Sequence, residues 1–404
     1  ALSRAELDSA FAHLVSAQRW QPGDSPTFVL IGRVISQAQA NGLPLEALEG
    51  HQATDEFGVG AASVIQGIAV SPADAFAWFA LVDVYEGFRT ARVRYQAMKR
   101  AGEAALTGAK APPPSEKVVG LDGEDQVSVA AALQALELEP NFYFYRDYLA
   151  KLYWDRGLET EAANEIRQSL AQWPRLEAHP SLNDESFVKG LAPAILEGIA
   201  AASPNRFAGP AMAARARASI LERLERRDEA IQAWEELRRV GDRSLVAECD
   251  LNIGRLEIDA GRLRESIPVL QSVSERIGEA DTAGWALYYL GQAHSRLGEH
   301  AEAAAVLRRH LELVPDSLPG SFLLAEEEEI AGRGGEAERL LIAAVLMYPS
   351  EPSTYMKVIE SMRKHGKAKQ ALSYAEALGK FDEHREEADR LIEQLQIEAV
   401  QKPH

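Results

Sequence analysis

The chain has 404 residues, 46% of them hydrophobic and 7% aromatic, with a formal charge of −18. The acid is spread evenly, −10 over residues 1–202 (16 basic, 26 acidic) and −8 over 203–404 (27 basic, 35 acidic), which leaves no basic tail or stripe for nucleic acid. One cysteine, Cys249, excludes an internal disulfide and a CxxC metal or redox site, and no apolar run approaches the ~20 residues of a membrane span.

Ala, Leu, Glu and Arg dominate, and no run of alternating β-branched residues suggests a sheet, so the expected elements are helices. The first covers residues 4–20. Ala10, Leu14, Ala17 and Pro22 give it the lettering of the second helix of a pair, with no first helix before it. It is expected to be a cap, or to follow a removed signal peptide or membrane anchor. Low cysteine use fits a bacterial cytoplasm and is compatible with a periplasm. Ile31-Gly32 mark a first helix, and Pro72 closes a second one. Val84, Phe88, Ala91, Tyr95, Met98, Gly102 and Ala105 then step by three and four, which predicts one long helix over 74–106. Thr107–Glu124, with Pro112-Pro113-Pro114, reads as a loop, and a helix over 125–138 closes the pair before Pro140.

Leu149-Ala150, Tyr153, Gly157, Ala162, Ile166 and Pro174 form the next pair. Residues 175–210 hold a single helical pattern (184–202) between Pro180 and the Ser203-Pro204 to Gly209-Pro210 stretch, and read as a joint. Arg227-Asp228-Glu229-Ala230 with Trp234 mark a further pair, and Ile253-Gly254, Gly261, Ser266 and Leu270 another. Leu290-Gly291, Gly298, Ala303, Leu307 and Pro315 then recur 34 residues later as Leu324-Ala325, Gly332, Ala337, Leu341 and Pro349. A third copy reads Val358-Ile359, Gly366, Ala371 and Ala375. The lettering has physical reasons. Small residues at Gly291 and Ala325 let two helices approach closely. The turn glycines accept positive φ. The prolines end second helices.

A 34-residue period with this lettering resembles the tetratricopeptide repeat. The resemblance covers most of the chain. It implies an all-α fold, a right-handed superhelical α-solenoid of helix pairs. The expected segments are an N-terminal sub-solenoid (1–174), an irregular helical joint (175–210), a C-terminal array (211–380), and a capping helix with tail (381–404). It also implies a binding scaffold whose concave groove is lined by first helices. Carried over by register, the groove positions are Phe76, Phe79, Asp83 and Glu86, then Phe144, Asp147, Lys151 and Trp154. In the C-terminal array they are Trp285, Tyr288, Gln292, Phe322, Glu326, Glu329, Met356, Glu360, Arg363 and Lys364. Chaperone-cofactor members of the family clamp a C-terminal carboxylate with lysine and asparagines at set positions. Here those places read Phe79, Asp147, Leu251, Tyr288, Phe322 and Met356, then Asp83, Lys151, Arg255, Gln292, Glu326 and Glu360, so that ligand is not expected.

There is no HExxH, P-loop, GxSxG or dinucleotide-binding turn. The nine histidines lack metal-ligand spacing. No catalytic residue, metal or cofactor is therefore expected, and the chain reads as a non-enzyme. Two clusters stand out. Phe142-Tyr143-Phe144-Tyr145, Tyr148, Tyr153 and Trp154 place seven of 29 aromatics within 13 residues, to pack or to offer a platform for a protein. A glycan contact there has no other support. Glu326-Glu327-Glu328-Glu329 reads as a solvated acidic rim, with Glu328 at a usually aromatic place and therefore paired or exposed. The expected function is a scaffold or adaptor for protein or peptide partners in a bacterial assembly. The alternative is a periplasmic or membrane-tethered accessory of envelope biogenesis, in polysaccharide export or protein maturation.

Overall fold

The computed structural model describes residues 3–21, 23–41, 43, 45, 53–87, 89–91, 123–202, 210–240, 243–275 and 280–401. Among them there are helices and turns and no strand. The chain forms two compact units, residues 1–220 and 221–404.

In the first unit α1 (Arg4–Trp20) packs on α2 (Ser25–Asn41), and α2 pairs with α3 (Ala53–Val70). The α1 start is fixed by a capping box, in which the Ser3 side chain and Glu6 satisfy each other's backbone N–H. Residues 75–87 and 89–91 are helical and form α4. The remainder of the long helix expected over 74–106, and the expected loop up to residue 122, lie outside the described residues. α5 begins at Gly123 and runs to Leu138, two residues earlier than expected. It is followed by the antiparallel pair α6 (Tyr143–Asp155) and α7 (Glu159–Gln172).

The single helix expected over 184–202 is two, α8 (Glu185–Gly190) and α9 (Ala192–Ala201), broken at Leu191. Pro193 is the reason, since it lacks the N–H that a continuous helix would use and suits a helix start instead. Leu182, Phe187, Val188, Ile195 and Ile199 are buried, and α9 lies against α7 so closely that a Cβ on Gly198 would stand 2.6 Å from the Arg167 carbonyl oxygen.

The second unit continues from α10 (Pro210–Arg223, divided between the units) through α11 (Arg227–Val240), α12 (Arg243–Asp259), α13 (Leu263–Ser274) and α14 (Ala280–Arg296). It ends with α15 (His300–Leu313), α16 (Leu318–Ile330), α17 (Gly334–Met347), α18 (Pro352–Lys364), α19 (Ala368–Leu378) and α20 (Arg385–Gln401). From α11 onward each helix packs on the next, so the core is a series of layers. Ala304, Leu307 and Leu324 make one layer, and Leu341, Val358, Ile359, Ala371, Ala375 and Leu395 belong to the next. Cys249 is buried in this unit.

Helix ends follow the prolines. Helices stop at Val70, Leu138, Gln172, Leu313 and Met347, each two residues before Pro72, Pro140, Pro174, Pro315 and Pro349. Where the intervening residue's dihedrals are defined, as at Trp173, Val314 and Tyr348, ψ lies between 63° and 93°, away from the helical value, as a following proline ring demands. The turns inside pairs are equally uniform. Gly157, Gly261, Gly298, Gly332 and Gly366 take φ of 68–79°. The next N–H donates back to a helix carbonyl at 2.8–2.9 Å, as from Glu299 to His294 and from Lys367 to Met362. The α10–α11 turn has the same form, with Arg226 donating to the Leu221 carbonyl, but its positive-φ residue is Glu225, at φ 57°.

A side chain in that conformation costs roughly 1–2 kcal/mol. Glu225→Gly is therefore expected to stabilise the protein by about 1 kcal/mol, and Gly298→Ala to destabilise it by a similar amount, both read by urea denaturation. A Glu225→Gly variant that is destabilised, or a Gly298→Ala variant that is as stable as the wild type, would refute the shared turn geometry.

Candidate functional site

The best-formed cleft in the second unit lies between the first helices α16 and α18. It encloses about 260 Å³ and has an apolar floor of Phe322, Ala325, Ile330 and Leu341. Its rim is charged. Lys357 pairs with Glu326 at 2.8 Å, and Lys364 with Glu329 at 3.2 Å, so two ion pairs bridge the helices. Glu329 also accepts from the Ser361 hydroxyl at 2.7 Å, with His365 Nε2 at 3.4 Å. The bond to Glu326 holds the Lys357 ammonium above its ordinary pKa, aided by the Glu326 and Glu360 charges and against the effect of burial. Arg363 is engaged with Glu398 of α20 at 2.5 Å. Of the expected groove residues, Phe322, Glu326, Glu329, Glu360 and Lys364 thus line one cleft. Met356 packs against the adjoining core instead. Ile330 and Lys357 were not named from the sequence. Ile330 lies 34 residues before Lys364 and could have been found by the same register.

On α14, Trp285 is exposed and meets Tyr288 edge-on, with ring centroids 5.8 Å apart, while Gln292 is half-buried. Both rings rest on His310 of α15, at 6.0 and 5.6 Å. His310 is fully buried. Its Nδ1 lies 2.7 Å from the Gly284 carbonyl, so Nδ1 carries the proton and donates, while Nε2 has no partner. Gly320 of α16 leaves room for the ring, since a Cβ there would stand 2.4 Å from it.

In the first unit, α2 and α4 border a wider cleft of about 570 Å³ that includes Arg33, Asp83 and Glu86. Arg33 pairs with Asp83 at 2.9 Å and lies over the Phe76 ring, 5.0 Å from its centroid. Burial raises the pKa of both carboxyls. For Asp83 the Arg33 charge opposes the rise, and for Glu86 the Arg89 charge does.

Three expected groove positions are filled by the unit's own packing. Phe79 is 5% exposed and stacks on Tyr145 at 4.2 Å, with Phe144 and Tyr148 edge-on at 5.5 Å. Asp147 is 3% exposed and accepts from the Ser181 N–H and hydroxyl, with His179 Nδ1 at 3.3 Å. The irregular stretch after α7 folds over Asp147, which a regular repeat register does not foresee. Trp154 likewise packs on Phe187 and Gly190. Lys151 pairs with Asp155 at 2.5 Å and Asp184 at 3.4 Å. Phe144 keeps an exposed face.

The four consecutive glutamates are not a solvated rim. Glu327 and Glu328 are each 1% exposed. His300 Nδ1 donates to Glu327 at 2.8 Å, and Glu328 is held by both Arg308 and Arg333. A helix points consecutive side chains around its axis, so Glu326 and Glu329 reach the cleft while the middle two turn inward.

Two outcomes follow from these contacts. Removing both guanidinium groups strands a buried carboxylate, so Arg308→Ala with Arg333→Ala is expected to cost about 2–3 kcal/mol in chemical denaturation, the modest end for a broken buried pair because both arginines are half-exposed. Glu328→Met, which removes the buried charge itself, is expected to cost less. The second outcome concerns pH. Burial lowers the His310 pKa below the ordinary 6.5, only partly offset by its bond to Gly284. The unfolded chain therefore takes up the proton first on acidification. The contribution linked to His310 is full above 6.5, declines as pH falls below it, and is lost once pH passes the depressed folded value. His310→Gln should flatten that segment of the stability profile. An unchanged slope would mean that another group carries it.

The family model of the tetratricopeptide repeat matches residues 284–327, from α14 into α16. Residues 284–327 of the second unit thus carry the tetratricopeptide-repeat pattern. Similar solved structures include a crystal structure of MamA protein, at 18% identity over 44% of this chain and 94% of that one, TM-score 0.37. PilW, described as a widely conserved type IV pilus biogenesis factor, is 18% identical over 61% of this chain and 96% of its own, TM-score 0.41. YrrB, described as a TPR protein with an unusual peptide-binding site, is 14% identical over 58% and 98%, TM-score 0.32. No curated protein matches the chain. Among the described residues, no helix is long and apolar enough to cross a membrane.

Proposed function

We propose that the chain is a non-catalytic adaptor that holds a protein or peptide partner in the cleft between α16 and α18, within a multiprotein assembly of a bacterial cell. One observation carries this reading. The cleft joins an apolar floor to a charged rim on two successive first helices, the composition that lets a surface bury an anchor side chain and register it with polar contacts. Ile330 is 58% exposed at its edge, an apolar side chain that no neighbour covers within the unit. The expected groove residues Trp285 and Tyr288 lie on the preceding first helix and extend the same reading to α14.

The test is affinity capture with the full chain, followed by mass spectrometry, in parallel with Ile330→Asp. Because Ile330 is exposed, the substitution should leave helicity and melting unchanged. A charge at the apolar edge of the cleft should weaken a genuine partner at least about tenfold, the effect of losing a contact that the partner buries. A partner that binds the variant as well as the wild type would move the site elsewhere, with the exposed face of Phe144 next in line.

A further inference from the structure

We infer that the α16–α18 cleft selects a partner segment in which a lysine or arginine accompanies the apolar anchor, and that Glu360 is the residue that receives the cation. This rests on the cleft reading above and adds the chemical class of its ligand.

The cleft carries an unmatched negative charge. Three carboxylates line the cleft, Glu326, Glu329 and Glu360, against two ammonium groups, Lys357 and Lys364. Both cations are already engaged, Lys357 with Glu326 at 2.8 Å and Lys364 with Glu329 at 3.2 Å. Arg363 beside them is taken by Glu398. Glu329 is saturated in addition by the Ser361 hydroxyl. Glu360 is exposed, lies one helical turn from each lysine, and makes no hydrogen bond or ion pair among the described residues.

An acidic ligand would have to break a bridging pair to find a cation. A basic ligand finds a free carboxylate at the mouth of an apolar cleft, where the low-dielectric wall strengthens the pairing relative to open water. The net charge of −18 favours the same sign of partner at long range. Specificity of this kind comes as much from the penalty on the wrong charge as from the gain on the right one.

A random 12-residue peptide display library panned on the full chain tests the inference, using wild type, Ile330→Asp, Glu360→Gln and Glu360→Lys. All three substitutions lie at exposed positions, and circular dichroism confirms their folding. The expected consensus places a Lys or Arg within about one helical turn of a large apolar residue. The synthetic consensus peptide should bind Glu360→Gln about two- to fivefold more weakly, the size of a rim ion pair. Glu360→Lys should prefer the peptide in which the cation is replaced by Glu. If the consensus is apolar without a basic residue, or Glu360→Gln binds it equally well, the charge inference fails while loss of binding to Ile330→Asp still supports the cleft. If the peptides bind Ile330→Asp undiminished, or none is enriched, the cleft reading fails and the inference with it.

Discussion

The close crossing of the two helices within each pair is the constraint on which the rest depends. A Cβ on Gly254 would meet Leu270 at 2.5 Å, and one on Gly291 would meet Leu307 at 2.6 Å, the same sixteen-residue offset in two successive pairs. In the first unit, Gly32 stands equally close to Val64 and to the Gly60 carbonyl oxygen. In α12–α13 and α14–α15 the near helices are joined by a very short turn, and that turn carries a glycine at positive φ, Gly261 and Gly298. The position of the glycine and the spacing of the closing proline follow. The 34-residue period is therefore the length of two helices plus two tight connections, set by contact distance rather than by any functional demand.

Tight layers leave little room for water, so charges at the crossing levels must be matched by other side chains. Asp125 of α5 is held by Arg89 of α4 and by Arg156, just after α6. Glu328 of α16 is held by Arg308 from α15 and Arg333 from the turn that follows. Each carboxylate ties three places in the chain to one another. Such pairs add little net stability, because desolvation offsets much of the attraction, but breaking them is costly. Alternative registers, which would leave a buried charge unpaired, are correspondingly disfavoured.

The same helical rotation that buries Glu327 and Glu328 presents Glu326 and Glu329 to the cleft. A single acidic run thus does two jobs, with its middle in the core and its ends at the rim. The two bridging lysines of α18 meet those ends and leave Glu360 without a partner. The α2–α4 cleft of the first unit is built differently. Its carboxyls are pushed toward the neutral form by burial and held by arginines, so its polar groups serve one another.

The sequence by itself determined the helical class, the pairing, and the closing points of the pairs. These depend on local chemistry that can be read residue by residue: positive φ at glycine, the missing N–H of proline, and apolar spacing of three and four. It also placed Phe322, Glu326, Glu329, Glu360 and Lys364 on one face, because register is a local property once the period is known. The tertiary structure decided what lies on top of that face. It buried Phe79 among the aromatics of α6 and folded an irregular stretch over Asp147. It seated His310 beneath Trp285 and Tyr288. It also matched the Glu328 charge with arginines twenty residues before it and five after. None of these follows from spacing, since each depends on which distant segment fills a space, and packing between segments is not periodic even where the helices are.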